Sequence, residues 1–140
     1  MREMVVLHAS CVALDGRGVL ILGRSGSGKS TLALQLMALG ADLVADDRTE
    51  VTREGDALIA RCPSALVGLI EARGVGILRA TTVEAANLAL AVDLDATETV
   101  RLPPLRHFTV LGTALDLVLG QQGGHFPAVI LHYLKAGRQS

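Results

Sequence analysis

The chain has 140 residues, of which 50% are hydrophobic, and 13 Lys and Arg against 14 Asp and Glu give a formal net charge of −1. This length predicts a single domain with a substantial core, and the balanced charge provides no global field to recruit nucleic acid or a membrane surface. With two Phe, one Tyr and no Trp, few side chains are available to stack on bases. We therefore expect one domain spanning residues 1–140 that binds neither nucleic acid nor membrane.

The start of the sequence and its two cysteines indicate a cytoplasmic protein. The apolar run at residues 4–7 is too short for a secretory signal and is flanked by Glu3 and His8. No stretch approaches the ~20 apolar residues of a membrane span. Cys11 and Cys62 stand alone, without the spacing of a disulfide framework or a zinc site, and are typical of small buried residues in a reducing compartment.

The first predicted elements are two strands that form a hairpin, followed by a helix. Residues 4–14 are rich in β-branched and apolar side chains, and Asp15-Gly16 is a turn signal before a short strand at 19–22. Residues 30–39 have helical periodicity, and the helix ends at Gly40 as its C-terminal cap. The helix residues expected to face the core are Leu32, Ala33, Leu36, Met37 and Leu39.

The rest of the chain is predicted to be mostly strands, within residues 41–47, 48–53, 57–62, 77–83 and 87–94. A short helix from Pro63 through about Ile70 interrupts them, and Pro103-Pro104 ends the pattern. The last apolar segment, residues 126–135, fits either a short helix or a strand that enters a helix. Hairpin-like pairs break a strict βαβ alternation, so the expected fold class is α/β, a single domain with a mixed β-sheet.

Residues 23–30, "GRSGSGKS", match the Walker A pattern of a phosphate-binding loop, or P-loop. Its glycines let backbone N–H groups converge on phosphate oxygens, and the next helix adds its dipole and free N–H donors. Lys29 supplies a cation to the β- and γ-phosphates, and the Ser30 hydroxyl is the expected Mg²⁺ ligand. A Gly/Ser turn that matches by chance is the alternative, opposed by the predicted strand before and helix after. The residues predicted to bind nucleotide are Gly23, Arg24, Ser25, Gly26, Ser27, Gly28, Lys29, Ser30 and Thr31.

Two further clusters carry groups suited to phosphate chemistry. Asp46 and Asp47 end the strand after the P-loop helix, at the edge where ligands bind in open α/β sheets. They offer a general base and an anchor for Lys29 or a metal, and a solvated acidic turn is the alternative. In "EARGVG", Glu71 could bind Mg²⁺ while Arg73 orders it or reaches phosphate. The alternative there is a helix-ending Glu/Arg pair with a capping glycine.

Three more residues are weaker candidates on their own. A lone His such as His8 on a strand is more often structural, and a lone Arg such as Arg101 before two prolines is more often solvated. Asp93 ends "LALAVD", which mimics a Walker B strand, and ranks below Asp46 and Asp47.

Together these stretches resemble the catalytic domain of bacterial HPr kinase/phosphorylase. The similar pieces are "LHASCVAL", "GRSGSGKS", "GADLVADD" and "IEARGVGIL", which keep the family's order and separations from His8 through Ile77. Beyond residue 80 the resemblance is carried by "TVRLPP" and the final glycine-rich turn.

The resemblance implies a Ser/Thr kinase that uses ATP and Mg²⁺ to phosphorylate a serine of HPr, the phosphocarrier of the phosphotransferase system. In many members the same site reverses the reaction by phosphorolysis, using inorganic phosphate and releasing pyrophosphate. The implied fold is similar to the phosphoenolpyruvate carboxykinase type of P-loop domain, in a cytoplasmic homo-oligomer that is usually a hexamer. Members often carry an N-terminal regulatory domain, which we expect this chain to lack.

The resemblance also assigns roles by position. Ser30 and Glu71 match the Mg²⁺ ligands, Asp47 is favoured as the base with Asp46 supporting it, and Arg101 matches an arginine that stabilises charge on the transferring group. The catalytic residues so implied are His8, Lys29, Asp46, Asp47 and Arg101.

Three departures from the family pattern stand out. Arg24 and Thr31 occupy positions where the family often has acidic residues, and we interpret both as tolerable variation. The family's late Pro- and Arg-bearing loop, tied to phosphorolysis, is replaced by "LGQQGGHFP" without an arginine, which predicts a weak or absent reverse reaction.

Two other functions remain open from the sequence. A small-molecule kinase built on the same loop would need a lid, and no Arg-rich lid segment is visible. A nucleotide-binding regulatory module without transfer would not need a base, whereas this chain has both aspartates, Lys29 and Glu71.

Overall fold

A computed structural model describes residues 3–139 of the protein, so residues 1, 2 and 140 of the predicted domain lie outside the described part. The described strands are β1 (Met4–Leu7), β2 (Ala9–Leu14), β3 (Arg17–Leu22), β4 (Asp42–Ala45), β5 (Thr49–Glu54), β6 (Ala57–Arg61), β7 (Leu69–Ala72), β8 (Gly76–Arg79), β9 (Ala86–Thr97), β10 (Arg106–Val110) and β11 (Thr113–Gly120). The helices are α1 (Lys29–Ala38) and α2 (Phe126–Ala136), with one 3₁₀ turn at Ser64–Leu66. Neither of these helices is long and apolar enough to cross a bilayer.

Nine of the described strands form one mixed sheet. Its order is β1-β5-β6-β9-β3-β2-β4, with β11 paired to β9 and β10 paired to β11. Strands β3 and β11 run parallel to β9, whereas β2 runs antiparallel to both β3 and β4. The carboxyl ends of β3, β4 and β9 and the amino end of β2 therefore meet at one edge. The sheet confirms the predicted mixed α/β fold.

Both faces of the sheet are buried, because successive side chains of a strand point to opposite faces. In β3, Val19 and Ile21 join a cluster with both helices, which contribute Leu36 and Ile130 among others. Leu20 points the other way, into a second cluster made by residues of strands alone. Strand residues cover this second face, so the sheet is curled rather than flat.

The predicted N-terminal hairpin is confirmed, with one change. Strands β2 and β3 pair antiparallel around Asp15 and Gly16, whose φ angles of 52° and 79° suit a tight hairpin turn. Residues 4–14 are not one strand, because the chain bends at His8 and β1 pairs with β5 instead. This bend brings His8 to the edge of the sheet where β2 begins.

The first helix ends as predicted, but the prediction of five core-facing residues is wrong for Leu39. Gly40 takes a φ of +114° just past the helix, and its N–H donates to the Met37 carbonyl. Leu39 is 54% exposed, although the periodicity predicted it to face inward. The reason is that the helix ends at Ala38, so Leu39 lies in the turn and no longer follows the helical period.

The predicted helix from Pro63 to Ile70 is also wrong. Only the 3₁₀ turn forms there, and the chain continues as β7, which pairs antiparallel with β8. Ile70 is buried while its neighbours Leu69 and Glu71 are exposed, so the local period is two, as in a strand. The undecided last segment is helical, as α2.

The cysteines are free thiols, as the spacing predicted. Cys11 is fully buried in the core, as expected, whereas Cys62 is only half-buried. Burial raises the pKa of both thiols above its usual range, which favours the inert protonated form.

Candidate active site

The P-loop connects β3 to the first turn of α1, the strand–loop–helix context that its pattern requires. Gly23 has a φ of +151°, and a Cβ placed on it would lie 2.3 Å from the Ser27 hydroxyl. Gly28 caps α1 with a φ of +102°. Side chains at these two positions would strain or block the loop, so glycine is required for its shape.

Lys29 is held at the mouth of the loop. Its side chain is buried, at 6% exposure, and its ammonium donates to the carbonyls of Gly23 at 2.8 Å and Arg24 at 3.1 Å. Lysine has three N–H donors, so one remains for a ligand. No carboxylate in residues 3–139 forms an ion pair with Lys29. Its charge is thus available to an anion beside the loop.

A cavity of about 290 Å³ opens at this point. It joins three stretches that are distant in sequence: the P-loop with the start of α1, the acidic pair through Asp47, and the "EARGVG" segment. The residues lining it are Ser25, Gly26, Gly28, Lys29, Ser30, Thr31, Asp47, Glu71 and Arg73. The clusters singled out in the sequence therefore form one site.

Asp46 is a buried anchor for this site and not a solvated turn residue. It is 8% exposed, and its Oδ1 accepts hydrogen bonds from the hydroxyls of Ser30 at 2.7 Å and Ser10 at 2.8 Å. Its Oδ2 accepts the backbone N–H of Glu71 at 2.9 Å. Asp46 thus joins α1, β2 and β7, and it contacts Ser30 and Glu71, the two expected metal ligands.

Asp47, the next residue, has a different environment. Its side chain is 58% exposed and lines the cavity, and its Oδ1 lies 2.7 Å from Nε2 of His8. A protonated Nε2 donates to this oxygen and fixes the carboxylate, while Oδ2 has no hydrogen bond to another described residue. His8 is therefore part of the site, which the sequence pattern alone did not establish. The free Oδ2 of Asp47 is thus an acceptor on the cavity wall.

Glu71 and Arg73 lie on β7 and on the turn that follows it, and both line the cavity. No helix ends here, so the helix-capping interpretation of "EARGVG" is wrong. The guanidinium of Arg73 is 3.7 Å from the position of a Cβ placed on Gly26, close above the P-loop. Within the described residues Arg73 has no ion pair or hydrogen bond of its side chain. It offers a second cation to the cavity.

The donor set fits Mg²⁺ held together with phosphate. The Ser30 hydroxyl and the Glu71 carboxylate are oxygen donors, which Mg²⁺ prefers. The described residues contain no cluster of three or more His, Cys, Asp or Glu that could hold a metal by itself. Mg²⁺ in phosphoryl-transfer sites is usually held by one or two carboxylates, waters and substrate phosphates, so such a cluster is not needed.

None of the three weaker candidates lines the cavity, although His8 contacts its wall through Asp47. Arg101 is exposed on the segment between β9 and β10. Asp93 accepts the N–H of Asp95 at 2.9 Å, and the carboxylate of Asp95 accepts the backbone N–H of Arg24 at 3.2 Å. The Walker B-like strand continues past Asp93 to Thr97 as β9, and its residue Asp95 supports the backbone of the P-loop.

Sequence reasoning missed Ser10, which bridges the acidic pair. Its hydroxyl donates to Asp46, as above, and accepts the backbone N–H of Asp47 at 3.1 Å. The only signal in the sequence is a polar residue inside an otherwise apolar strand, which by itself predicts nothing about its partners.

Comparison with known proteins shows the family of this chain. Residues 1–97 match the family model of the HPr Serine kinase C-terminal domain. The chain belongs to this family. The matched region contains the P-loop, the acidic pair and Glu71, and ends before Arg101.

Curated relatives carry the name HPr kinase/phosphorylase. The protein from Aromatoleum aromaticum is 39% identical over 94% of this chain and 47% of its own length. The protein from Cupriavidus metallidurans is 40% identical over 81% of this chain and 39% of its own length. The chain thus spans less than half of the length of these relatives.

A solved structure supports the fold of this family member. The structure of the Hpr(Ser) kinase/phosphatase from Coxiella burnetii is similar with a TM-score of 0.78 and 27% identity, covering 94% of both chains. The similarity includes the region beyond residue 97, where the family model does not match.

Proposed function

We propose that this chain is an ATP-dependent serine kinase whose protein substrate is the phosphocarrier HPr. The observation that carries the proposal is the position of Asp47, which is held by His8 on the wall of the cavity that Lys29 and Ser30 also line. A module that only binds nucleotide has no need of a proton acceptor there. The substrate is inferred from the family and from the names of the relatives.

Each residue has a part in the proposed transfer, which depends on positioning and charge neutralisation more than on covalent chemistry. The P-loop N–H groups and Lys29 hold the triphosphate. Ser30 and Glu71 would hold Mg²⁺, which neutralises charge on the phosphate oxygens when bound. Asp47 accepts the proton of the substrate serine on Oδ2, while His8 keeps Oδ1 engaged. Asp46 supports both by fixing Ser30 and the backbone of Glu71.

The charge on the transferring group needs a cation, and two arginines are candidates. The family resemblance assigns this role to Arg101, which is exposed and outside the cavity lining. Arg73 lines the cavity beside the P-loop. The geometry favours Arg73 for this contact within a single chain.

The deciding experiment is incubation of the protein with Mg-ATP and HPr, followed by detection of phosphoserine on HPr. We expect stoichiometric phosphorylation of one serine, abolished when EDTA removes Mg²⁺. A small-molecule kinase would leave HPr unmodified but consume ATP with another acceptor. A regulatory module would bind Mg-ATP and transfer nothing.

The reaction is expected to run as a kinase, with phosphorolysis weak or absent. Reversal brings inorganic phosphate beside phosphoserine, and these anions repel strongly where water is excluded. The segment 119–127 has no arginine to offset this repulsion. Arg106, on the neighbouring β10, donates Nε and Nη2 to both oxygens of Glu98 at 3.1 Å, so its charge is already paired.

The measurement for this prediction is pyrophosphate release from phosphorylated HPr at saturating inorganic phosphate, compared with the forward rate on Mg-ATP. We expect the reverse rate to be a small fraction of the forward rate. Comparable rates would contradict the prediction and would require another cation, such as Arg73, to hold the incoming phosphate.

Three further properties belong to the same proposal. We propose that residues 1–140 form one catalytic domain, that it works as a homo-oligomer with a hexamer as the family precedent, and that it acts in the cytoplasm. Light scattering of the purified protein with and without HPr tests the assembly.

A further inference from the structure

Ser10 is a fully buried hydroxyl at the start of β2, with 0% exposure, between the buried apolar residues Ala9 and Cys11. A hydroxyl buried among apolar side chains is costly unless its hydrogen bonds are made. Ser10 makes both of its bonds to the acidic pair, donating to Asp46 and accepting from Asp47. The position of this hydroxyl suggests a role in the site and not in the core.

The bond to Asp47 holds an unusual backbone. Asp47 has a φ of +69°, in the left-handed region that residues other than glycine seldom adopt. Its N–H donates to Ser10 at 3.1 Å, which helps to offset the cost of this conformation. This backbone turn directs the carboxylate to His8 and the cavity. Two hydrogen bonds therefore hold this turn, the one to Ser10 and one from the Arg48 N–H to the Asp46 carbonyl at 2.8 Å.

The bond from Ser10 to Asp46 acts on the part of the site that contains Ser30. Oδ1 of Asp46 accepts two hydroxyl hydrogens, one from Ser10 and one from Ser30. With the Ser10 donor in place, the orientation of this carboxylate is fixed, and so is the orientation of the Ser30 hydroxyl. The Ser10 hydroxyl thus connects the backbone N–H of Asp47, the proposed base, with the carboxylate of Asp46. That carboxylate in turn orients the hydroxyl of Ser30, the expected metal ligand.

We propose that Ser10 is a positioning residue for phosphoryl transfer, which sets Asp47 and Ser30 relative to each other. The proposal rests on the kinase function proposed above. Ser10 does not line the cavity, so it contacts neither nucleotide nor substrate. Its removal should therefore slow the transfer step and leave binding of Mg-ATP nearly intact.

The test compares Ser10→Ala with a matched control, Thr49→Val. Thr49 is also fully buried, and its hydroxyl donates to the carbonyl of Ala9, the residue before Ser10, at 2.8 Å. Thr49→Val therefore removes the hydrogen bond of a buried hydroxyl close to Ser10 but breaks no hydrogen bond of the acidic pair. For Ser10→Ala we expect kcat on HPr to fall about 10- to 100-fold, the usual effect of losing a residue that orients a ligand or a base. We expect the Kd for Mg-ATP to change less than about threefold, because a group that acts on the transfer step alone leaves binding unchanged.

A second readout does not depend on transfer. Amide hydrogen exchange followed by NMR should show the Asp47 N–H protected in the parent protein and in Thr49→Val. In Ser10→Ala it should exchange about fivefold faster or more, since one hydrogen bond of ~1 kcal/mol is lost. All variants are compared at a temperature where thermal melts show them folded.

The outcomes separate this inference from the kinase function. Phosphorylation of HPr at equal kcat by Ser10→Ala and the parent protein overturns the inference and keeps the function. An equal loss of kcat in Thr49→Val also overturns it, because general loosening of the strands would then explain the effect. Failure of the parent protein to phosphorylate HPr refutes the proposed function, and the Asp47 amide exchange still decides whether Ser10 holds the base.

Discussion

Lys29→Ala is expected to lower phosphorylation of HPr by about 10²- to 10³-fold or more, because it removes a preorganised donor from the charge that develops in the transition state. The ammonium is buried, donates to two loop carbonyls and has no carboxylate partner in the described part of the chain. Nothing else at that position can replace its charge on the β- and γ-phosphates. Affinity for Mg-ATP should fall with the rate, since Lys29 contacts the ground state as well.

The only other lysine in the sequence provides the control. Lys135 lies in the last turn of α2, away from the residues that line the cavity. Lys135→Ala should keep both the rate and the nucleotide affinity of the parent protein. Titration calorimetry with Mg-ATP and the HPr phosphorylation assay measure the two quantities. Near-normal turnover by Lys29→Ala would show that the P-loop assignment is wrong.

Asp47→Asn is expected to bind Mg-ATP normally and to lose transfer by about 10²- to 10⁴-fold, the usual contribution of a general base. An amide cannot accept the proton of the substrate serine, whereas its size and shape match the carboxylate. The fold should tolerate the change, because asparagine adopts the left-handed region as readily as aspartate does and Asp47 has a φ of +69°.

Asp56→Asn is the matched control for this prediction. Asp56 is an exposed carboxylate at the turn between β5 and β6, outside the cavity lining. The same chemical change there should leave kcat unaltered. Rapid-quench measurement of a single turnover isolates the transfer step from product release. Full activity in Asp47→Asn would move the base to Asp46 or remove it from this pair.

The sequence by itself determined the elements that depend on near neighbours, and it predicted the residues of the candidate site. The P-loop, Lys29 and Ser30 could be assigned from spacing, because the loop and the first turn of α1 are built by residues adjacent in the chain. The hairpin at Asp15-Gly16 and the end of α1 at Gly40 were predictable for the same reason, since glycine there provides a positive φ. The resemblance to the HPr kinase family also followed from the order and spacing of the quoted stretches along the chain.

Tertiary structure decided which of these groups touch. Asp46 and Asp47 are adjacent in sequence, yet Asp46 is buried and accepts a hydrogen bond from Ser10, 36 positions away, whereas Asp47 is exposed and contacts His8, 39 positions away. The helix predicted from Pro63 to Ile70 is reduced to a 3₁₀ turn, and β7 replaces its end, because pairing with β8 and the hydrogen bond from the Glu71 N–H to Asp46, 25 positions away, outweigh local preference. Local patterns carry no information about such distant partners. The division of the acidic pair into a buried anchor and an exposed carboxylate on the cavity wall is therefore a property of the sheet edge that gathers β2, β4 and the P-loop.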